Sequence, residues 1–329
     1  MEQITSFLSL LGEEVEDAEE EAFYLFAQDI PSSNLGFVDS RATTVDLTIQ
    51  NQDYSIHQSP TLLSSSRAGG TTGAVLWKIT PLFSEWLSSP TNPLWTQSLL
   101  SASSTIVELG CGISGLNALT LAPRVHHYIA TDQDYVYRLF RQNIETNYHP
   151  STSAKSSKRQ QQSQQPKRKP KQQQQQPPTT TTTSSPNITF TSLDWELDVA
   201  GSLKASVGLE AAPLDGNDDD EEEEEADRGF DLLVSCDCIY NEALVAPFVR
   251  TCADICRLRP VYAADGHDGR RRRRPTICLI AQQQRSPEVF EAWLQETLRV
   301  FRVWRVSDEV LGPQLKSGTG YLVHLLLLR

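Results

Sequence analysis

The chain has 329 residues, 39% of them hydrophobic, and a formal net charge of −13. The charges of two acidic runs (13–21 and 218–225) and two basic runs (155–171 and 270–274) nearly cancel, and the remainder carries 17 basic and 27 acidic residues, a net charge of −10. An acidic body of this kind argues against a protein that clamps a nucleic-acid backbone over a broad face, and it suits a basic protein partner.

The first 73 residues predict an acidic, partly helical lead-in followed by a small β-hairpin. Residues 43–49 alternate apolar and polar side chains, a turn is expected at 51–53, and the pattern resumes at 54–57. This alternation is typical of two paired strands. A polar, glycine-rich connection follows, and the apolar stripe of residues 74–87 predicts a helix. We therefore divide the chain into a lead-in with hairpin at 1–73 and a main domain at 74–329.

From residue 105 onward, strand and helix patterns alternate. Strands are predicted at 105–109, 128–131, 188–193, 230–235 and 276–281, and helices at 115–121, 135–147, 242–257 and 287–298. Such alternation predicts a mostly parallel sheet with helices on both faces. The last two strands, 299–306 and 321–328, have no helix pattern between them and predict an antiparallel hairpin at the sheet edge. The fold class is therefore α/β, with a Rossmann-like sheet of seven strands.

Two low-complexity segments interrupt the main domain. Residues 150–186 are rich in Gln, Ser, Thr, Pro and Lys, and residues 211–228 include a run of eight acids. Because neither segment offers enough apolar side chains to bury, both are predicted to be disordered surface insertions. The arginine run at 270–274 is predicted to be a third, shorter one.

Cysteine usage and the chain ends bear on the compartment. The six cysteines form no CxxC pair and lie mostly in apolar surroundings, so we expect no metal site and a reducing environment. The N-terminus lacks the features of a signal peptide, and the longest apolar run, near 325–328, is far shorter than a membrane span. We expect a soluble, cytoplasmic protein without membrane contact.

The segment 107–115 (VELGCGISG) carries the strongest functional signal, because it follows a predicted strand and opens a helix. Glycines are needed where the backbone turns tightly and approaches a bound cofactor. The same glycines satisfy the G-x-G-x-x-G pattern of dinucleotide folds, so an NAD(P)-dependent oxidoreductase must be considered. Glu108 argues against it, since a dinucleotide strand entering its first glycine is normally apolar throughout. A glycine turn without a ligand is the remaining alternative.

Asp132 ends the second predicted strand of the main domain, 22 residues after Gly110. A carboxylate at that position can accept hydrogen bonds from both ribose hydroxyls of an adenosine. This holds for S-adenosylmethionine (AdoMet) and for NAD alike. The alternative is that Asp132 only caps the next helix.

Asp237 and Tyr240 follow the fourth predicted strand, in the segment Asp-Cys-Ile-Tyr. Active sites of open α/β sheets gather outside the carboxyl ends of the strands. A carboxylate there can accept a hydrogen bond from a target amine and orient its lone pair toward a methyl donor. The alternative is that Asp237 caps the following helix and Tyr240 packs. Trp77 and Trp195 are further candidates, Trp195 for stacking on adenine, although each could equally be an ordinary core aromatic.

Taken together, these motifs resemble the methyltransferase-like 21 group of class I protein-lysine methyltransferases, closest to its fungal ribosomal lysine methyltransferase 5 branch. The resemblance covers about residues 40–150, 186–210 and 228–329. It implies a class I fold, AdoMet as the only cofactor, no metal, and a lysine ε-amine of a protein as acceptor, which in the fungal branch is a large-subunit (60S) ribosomal protein. By position, it implies AdoMet contacts at Trp77, Gly110, Cys111, Gly112, Asp132, Trp195 and Cys236, and a catalytic pair that handles the lysine at Asp237 and Tyr240.

Three other functions stay open at this stage. A small-molecule or nucleic-acid methyltransferase could use the same fold, although the sequence has no N/D-P-P-Y-type motif. An oxidoreductase would need a catalytic set such as Tyr-x-x-x-Lys, for which we find no plausible candidate. A cofactor-free interaction module would require that AdoMet does not bind. We expect a basic protein substrate and no direct nucleic-acid binding.

Overall fold

The computed structural model describes residues 2–29, 35–65, 70–148, 187–205, 229–259 and 274–329. The expected insertions at 150–186 and 211–228, and all but the last arginine of 270–274, lie outside the described residues. Within the described ranges, no helix is long and apolar enough to cross a membrane.

An eight-stranded mixed sheet forms the centre of the described structure. Its strands are β1 (Glu14–Val15), β4 (Thr105–Leu109), β5 (His127–Asp132), β6 (Ile188–Ser192), β7 (Leu232–Cys236), β8 (Ile277–Gln283), β9 (Phe301–Arg305) and β10 (Tyr321–Leu328). Their order is β1-β9-β10-β8-β7-β4-β5-β6. Strands β4 to β8 pair in parallel, whereas β10 is antiparallel to both of its neighbours, β8 and β9.

The predicted α/β fold is confirmed, with one strand more than expected. Without β1, the order β6-β5-β4-β7-β8-β10-β9 is that of a class I methyltransferase sheet, and β9 and β10 form the predicted antiparallel hairpin. Strand β1 pairs with β9 through Glu14 opposite Trp304 and Val15 opposite Val303. Two residues are too short to show an alternating pattern, so the sequence does not predict β1. It covers the exposed edge of the sheet.

Helices cover both faces of this sheet. They are α1 (Glu2–Leu8), α2 (Ala18–Phe26), α3 (Pro60–Leu63), α4 (Ile79–Ser88), α5 (Pro93–Thr96), α6 (Leu116–Leu121), α7 (Tyr137–Asn147), α8 (Ser202–Ala205), α9 (Val245–Arg257), α10 (Pro287–Leu298) and α11 (Asp308–Leu311). Successive residues of β4 point to opposite faces, as strand geometry requires: Ile106 packs with α4, α6 and α7, and Val107 with α2, α9 and α10. The sheet is therefore buried on both sides, and its carboxyl edge is left for a site.

The predicted N-terminal hairpin is confirmed as β2 (Thr44–Ile49) and β3 (Gln52–His57). Its turn lies at Gln50 and Asn51, both with positive φ, rather than at 51–53. The amide side chains of α7 hold β3 in place, because Asn143 accepts a hydrogen bond from the His57 N–H at 2.8 Å and Asn147 accepts one from the Ser55 N–H at 2.7 Å.

The helix predicted from residue 74 begins only at Ile79. Val75 is extended, and the next residues pair with the segment 36–38: the Val38 N–H donates to the Leu76 carbonyl and the Lys78 N–H to the Gly36 carbonyl, both at 2.9 Å. These backbone bonds are incompatible with a helix, so Trp77 lies in an extended segment. The sequence predicts no helix between β9 and β10. This prediction is wrong, because the connection between the two strands contains the short helix α11.

Candidate functional site

The carboxyl ends of β4, β5, β6 and β7 and the segment before α4 surround one cavity. The strand order reverses direction at β4, and ligands of open α/β sheets bind outside the carboxyl ends at such a point. All nine site residues expected from the sequence line this cavity: Trp77, Gly110, Cys111, Gly112, Asp132, Trp195, Cys236, Asp237 and Tyr240.

The glycine turn after β4 brings backbone against the cavity. Gly110 has φ +70°, and a Cβ added there would lie 2.2 Å from the Cys238 sulfur and 3.5 Å from the Trp195 ring. Glycine is therefore required at 110 for its conformation and for the space it leaves. The N–H groups of Gly110 and Cys111 both donate to the Thr131 carbonyl, at 2.9 and 3.0 Å, which holds the turn over β5.

Asp132 lies at the carboxyl end of β5 and is held by two backbone donors. Its Oδ2 accepts from the Gly112 N–H at 2.8 Å and its Oδ1 from the Gln133 N–H at 2.7 Å. Burial raises the pKa of Asp132 to about 6, against the opposing effect of these two bonds, so the group is mainly ionised at neutral pH. Each oxygen keeps acceptor capacity for a ribose hydroxyl. Asp132 does not cap the next helical turn, whose N-cap residue is Gln133.

Trp195 forms part of the cavity wall next to the glycine turn. Its ring packs edge-on against Phe248, with 5.0 Å between the ring centroids. Arg250 holds the Trp195 segment in place by donating to the Trp195 carbonyl at 2.6 Å. The indole N–H is buried and has no acceptor among the described residues. Trp195 therefore combines a flat apolar surface with an unused donor.

Trp77 lies on the other side of the cavity. Its ring is tilted against Phe37, with centroids 4.4 Å apart, and the Arg285 guanidinium lies 4.5 Å from the Trp77 centroid. The indole N–H donates to the Thr72 carbonyl at 3.0 Å. Because Arg285 also binds Asp237, Trp77 belongs to the part of the wall around Asp237.

Asp237 directly follows β7 and has a left-handed backbone, with φ +63°. Its side chain is 3% exposed and forms a bidentate ion pair with Arg285, with Nη1–Oδ1 at 2.7 Å and Nη2–Oδ2 at 2.5 Å. Its Oδ1 also accepts from the Gln283 N–H at 3.2 Å. Asp237 does not cap a helix, since Asn241 caps the turn that follows. Arg285, which the sequence does not single out, thus holds a carboxylate that lines the cavity.

Tyr240 stands at the mouth of the cavity with 40% of its surface exposed. Its hydroxyl accepts a hydrogen bond from the Thr72 hydroxyl at 3.3 Å. Burial of the hydroxyl raises the pKa of Tyr240, so the phenol is neutral at neutral pH. A neutral, half-exposed ring at this position can form one wall of an entrance.

The cysteines of the cavity are not reactive groups. Burial raises the pKa of Cys111, Cys236 and Cys238, which keeps each of them a neutral thiol. In the part of the chain that the structure describes, no group of three or more His, Cys, Asp or Glu side chains could hold a metal ion.

Glu108, which argues against a dinucleotide fold in the sequence, does not line the cavity. It is buried in β4 and accepts hydrogen bonds from the Asn117 amide at 2.7 Å and the Tyr128 hydroxyl at 2.8 Å. Burial raises the pKa of Glu108 to about 7. Asn117 in turn accepts from the Ser84 hydroxyl at 2.7 Å, so Glu108 joins β4 to β5, α6 and α4 beneath the glycine turn.

These residues fit an adenosine-containing methyl donor. Asp132 offers acceptors for ribose hydroxyls, Trp195 offers a flat ring, and the backbone of the glycine turn lines the same cavity. The glycine turn uses its own N–H groups to bind β5, so the described residues give a pyrophosphate few backbone donors there.

Comparison with known proteins gives a consistent answer. The family model described as "Lysine methyltransferase" matches residues 56–175. The chain is 28% identical to "Ribosomal lysine N-methyltransferase 5" of Zygosaccharomyces rouxii, over 76% of this chain and 72% of that protein. It is 25% identical to the protein of the same name from Vanderwaltozyma polyspora, over 86% of this chain and 89% of that protein.

A third relative matches a shorter segment. "Diaminohydroxyphosphoribosylamino-pyrimidine deaminase" of Schizosaccharomyces pombe is 37% identical over 40% of this chain, which spans only 32% of that protein. The match to the family model includes the glycine turn and Asp132, and the two longer relatives extend the likeness over most of the chain. The chain is thus similar to lysine methyltransferases over the part that holds the glycine turn and Asp132, and to two ribosomal lysine N-methyltransferases over most of its length.

Proposed function

We propose that this protein methylates the ε-amine of a lysine in a large-subunit ribosomal protein. The observation that carries the proposal is the division of the cavity into two sides. Asp132, Trp195 and the glycine turn form one side, and Asp237, Tyr240 and Trp77 form the other. The first side suits the adenosine of the donor, and the second suits an amine acceptor.

On the cofactor side, Asp132 is proposed to bind the ribose hydroxyls, and the Trp195 ring to stack on adenine. Gly110, Cys111 and Gly112 are proposed to line the methionine part of the donor, together with Cys236. When bound, AdoMet supplies a sulfonium-activated methyl group. The chain then has to provide proximity, in-line geometry and exclusion of water rather than a nucleophile of its own.

On the acceptor side, Asp237 is proposed to accept a hydrogen bond from the lysine amine and to orient its lone pair. The amine must lose its proton first, because the unperturbed pKa of lysine is about 10.4. A channel walled by Tyr240 and Trp77 favours the neutral amine, since removal from water disfavours a charged group. The proton leaves to solvent before transfer, and no residue of the site has to store it.

The ribosomal acceptor is supported by the name of the two longer relatives, "Ribosomal lysine N-methyltransferase 5". The net charge of −13 suits a basic partner, and complementary charge speeds association. The six cysteines are free and buried, which is typical of a reducing compartment, and we place the reaction in the cytoplasm.

The test is methyl transfer from AdoMet labelled in its methyl group. The purified protein is incubated in parallel with large-subunit proteins, small-subunit proteins, ribosomal RNA and a small-molecule extract. We expect label in one large-subunit protein, on a lysine located by tandem mass spectrometry, and its loss when that lysine is replaced by arginine. Label in the RNA or in a small molecule would overturn the lysine acceptor. Label confined to a protein outside the large subunit would overturn the large-subunit assignment.

A further inference from the structure

Arg285 connects the acceptor side of the cavity into one unit. It lies two residues beyond the end of β8, next to β7 in the sheet, and its guanidinium spans both oxygens of Asp237 at 2.7 and 2.5 Å. Its side chain is only 24% exposed. Bidentate pairs of this kind fix geometry as well as charge, because two parallel N–H bonds allow one orientation.

The same guanidinium also supports the aromatic wall. It lies over the Trp77 ring at 4.5 Å, and Trp77 donates to the Thr72 carbonyl at 3.0 Å. The Thr72 hydroxyl continues to the Tyr240 hydroxyl at 3.3 Å. A continuous path of contacts therefore runs from Asp237 through Arg285, Trp77 and Thr72 to Tyr240. The two residues expected to handle the acceptor are joined through Arg285.

The ion pair with Arg285 leaves part of the hydrogen-bond acceptor capacity of Asp237 for a ligand. An ionised carboxylate has about four lone-pair sites. Oδ1 of Asp237 accepts from Arg285 and from the Gln283 N–H, whereas among the described residues Oδ2 accepts from Arg285 alone. The remaining acceptor capacity is on Oδ2. An amine that donates to it meets a carboxylate whose orientation is fixed.

Arg285 also affects the electrostatics of the acceptor side through its positive charge. Burial raises the pKa of Tyr240, Tyr321 and Cys236, so these neighbours are neutral at neutral pH. The cavity also has Asp132 on its cofactor side, and Asp194 and Glu196 in the Trp195 segment. Next to the acceptor position, Arg285 offsets the charge of Asp237. A positive group there disfavours an ammonium ion relative to a neutral amine.

We propose that Arg285 is a positioning residue for the acceptor lysine: it fixes the Asp237 carboxylate with Oδ2 open to the amine, and its charge favours the neutral amine. The inference rests on the proposed function, since it concerns the acceptor of that same site. It assigns no contact between Arg285 and AdoMet.

The test compares Arg285→Gln and Arg285→Lys with the wild type over a range of pH. The substrate is a salt extract of large-subunit ribosomal proteins, and the readouts are the methyl-transfer rate and calorimetric AdoMet affinity. Arg302 provides a matched control, because it pairs with Glu14 and lies over Trp304 at 4.8 Å, at the sheet edge distant from the cavity. Arg302→Gln and Arg302→Lys should therefore behave like the wild type.

Two distinct results are expected. Arg285→Gln should lower the rate about 10- to 100-fold, the scale of a small misplacement of a reacting group. It should also move the rising limb of the pH–rate profile up by about one unit, because the lysine then keeps its proton to higher pH. Arg285→Lys retains the charge but cannot span both oxygens, so the limb should stay in place while the rate falls. AdoMet affinity should change less than about threefold in both.

Several outcomes would overturn the inference. They are a wild-type rate in Arg285→Gln, an unshifted pH limb, or a loss of AdoMet affinity in proportion to rate. If Arg285→Gln does not fold, Arg285→Lys decides: a wild-type rate with that variant contradicts the positioning role. Failure of the proposed function is distinguishable, because the wild type itself would then transfer no methyl group to protein.

Discussion

Asp132 accepts a hydrogen bond from the Gly112 N–H at 2.8 Å, and this contact fastens the turn after β4 to the carboxyl end of β5. The bond turns one carboxylate oxygen toward the backbone, yet each oxygen still has acceptor capacity on the cavity side. The glycine turn and the ribose-binding group are thus one structural unit.

The first prediction concerns this group. Asp132→Ala should weaken AdoMet binding by about 2–3 kcal/mol, the scale of lost charge-assisted hydrogen bonds, while the protein stays folded. Calorimetry with AdoMet measures the change, and circular dichroism checks the fold. The exposed neighbour Asp134 is the control, and Asp134→Ala should bind AdoMet as the wild type does. Unchanged affinity in a folded Asp132→Ala would leave Asp132 with a structural role only.

The sequence predicts the sheet well because periodicity is a local property. Each of the seven long strands is found within about two residues of its expected position, and α10 spans Pro287–Leu298 as expected. The site residues at the carboxyl ends could be predicted for the same reason, since parallel strands bring their ends to one edge. The local rule fails for Trp77, whose segment looks helical but pairs with the distant segment 36–38.

Arg285 illustrates what a single sequence does not reveal. It lies 48 residues after Asp237 in a polar stretch, and no spacing rule links the two. Only the neighbouring positions of β7 and β8 in the sheet bring the guanidinium to the carboxylate. Likewise, Glu108 is conspicuous in the sequence for its place before the glycines, but its side chain points to Asn117 and Tyr128 rather than into the cavity.

The second prediction distinguishes two reasons for a glycine at position 110, the lack of space for a Cβ and the positive φ of the backbone. Gly110→Ala should abolish measurable AdoMet binding and lower the melting temperature, because the new Cβ would lie 2.2 Å from the Cys238 sulfur. Gly318→Ala is the control: it has φ +78° but nothing within 4 Å of the added Cβ, so it carries a conformational cost without a clash. Adding Cys238→Ala to Gly110→Ala should restore part of the stability. Equal melting temperatures for the two single glycine variants would contradict the steric explanation.

The third prediction concerns Trp195. Trp195→Ala should weaken AdoMet binding by about 1–3 kcal/mol, the usual value for a base stacked on an aromatic ring. Trp195→Phe keeps an aromatic ring on which adenine can stack, so it should lose less affinity than Trp195→Ala. Both affinities are measured by calorimetry. If Trp195→Ala binds AdoMet normally, the ring only packs against Phe248.

The fourth prediction concerns pH and Glu108. Because burial raises the pKa of Glu108 from 4.5 to about 7, the folded protein binds more protons than the unfolded chain between these values. Ionisation of this carboxyl therefore destabilises the fold progressively as the pH rises through that window. Glu108→Gln has no carboxyl to ionise at this position. The difference between its free energy of unfolding and that of the wild type should therefore increase by up to roughly 3 kcal/mol from pH 4.5 to pH 8, in favour of the variant. Urea titrations at several pH values measure this, and parallel curves would show that Glu108 ionises without cost.

The fifth prediction tests the division of the cavity into a cofactor side and an acceptor side, through Asp237→Asn. Asparagine keeps the shape and one acceptor for Arg285 but removes the charge that orients the amine. The transfer rate and the AdoMet affinity are measured on the same folded preparation. We expect the rate to fall about 10²–10⁴-fold, the range for a positioned polar group in catalysis, with AdoMet affinity nearly unchanged. If affinity and rate fall in proportion, or if both stay at the wild-type level, Asp237 does not act on the acceptor and the account is wrong.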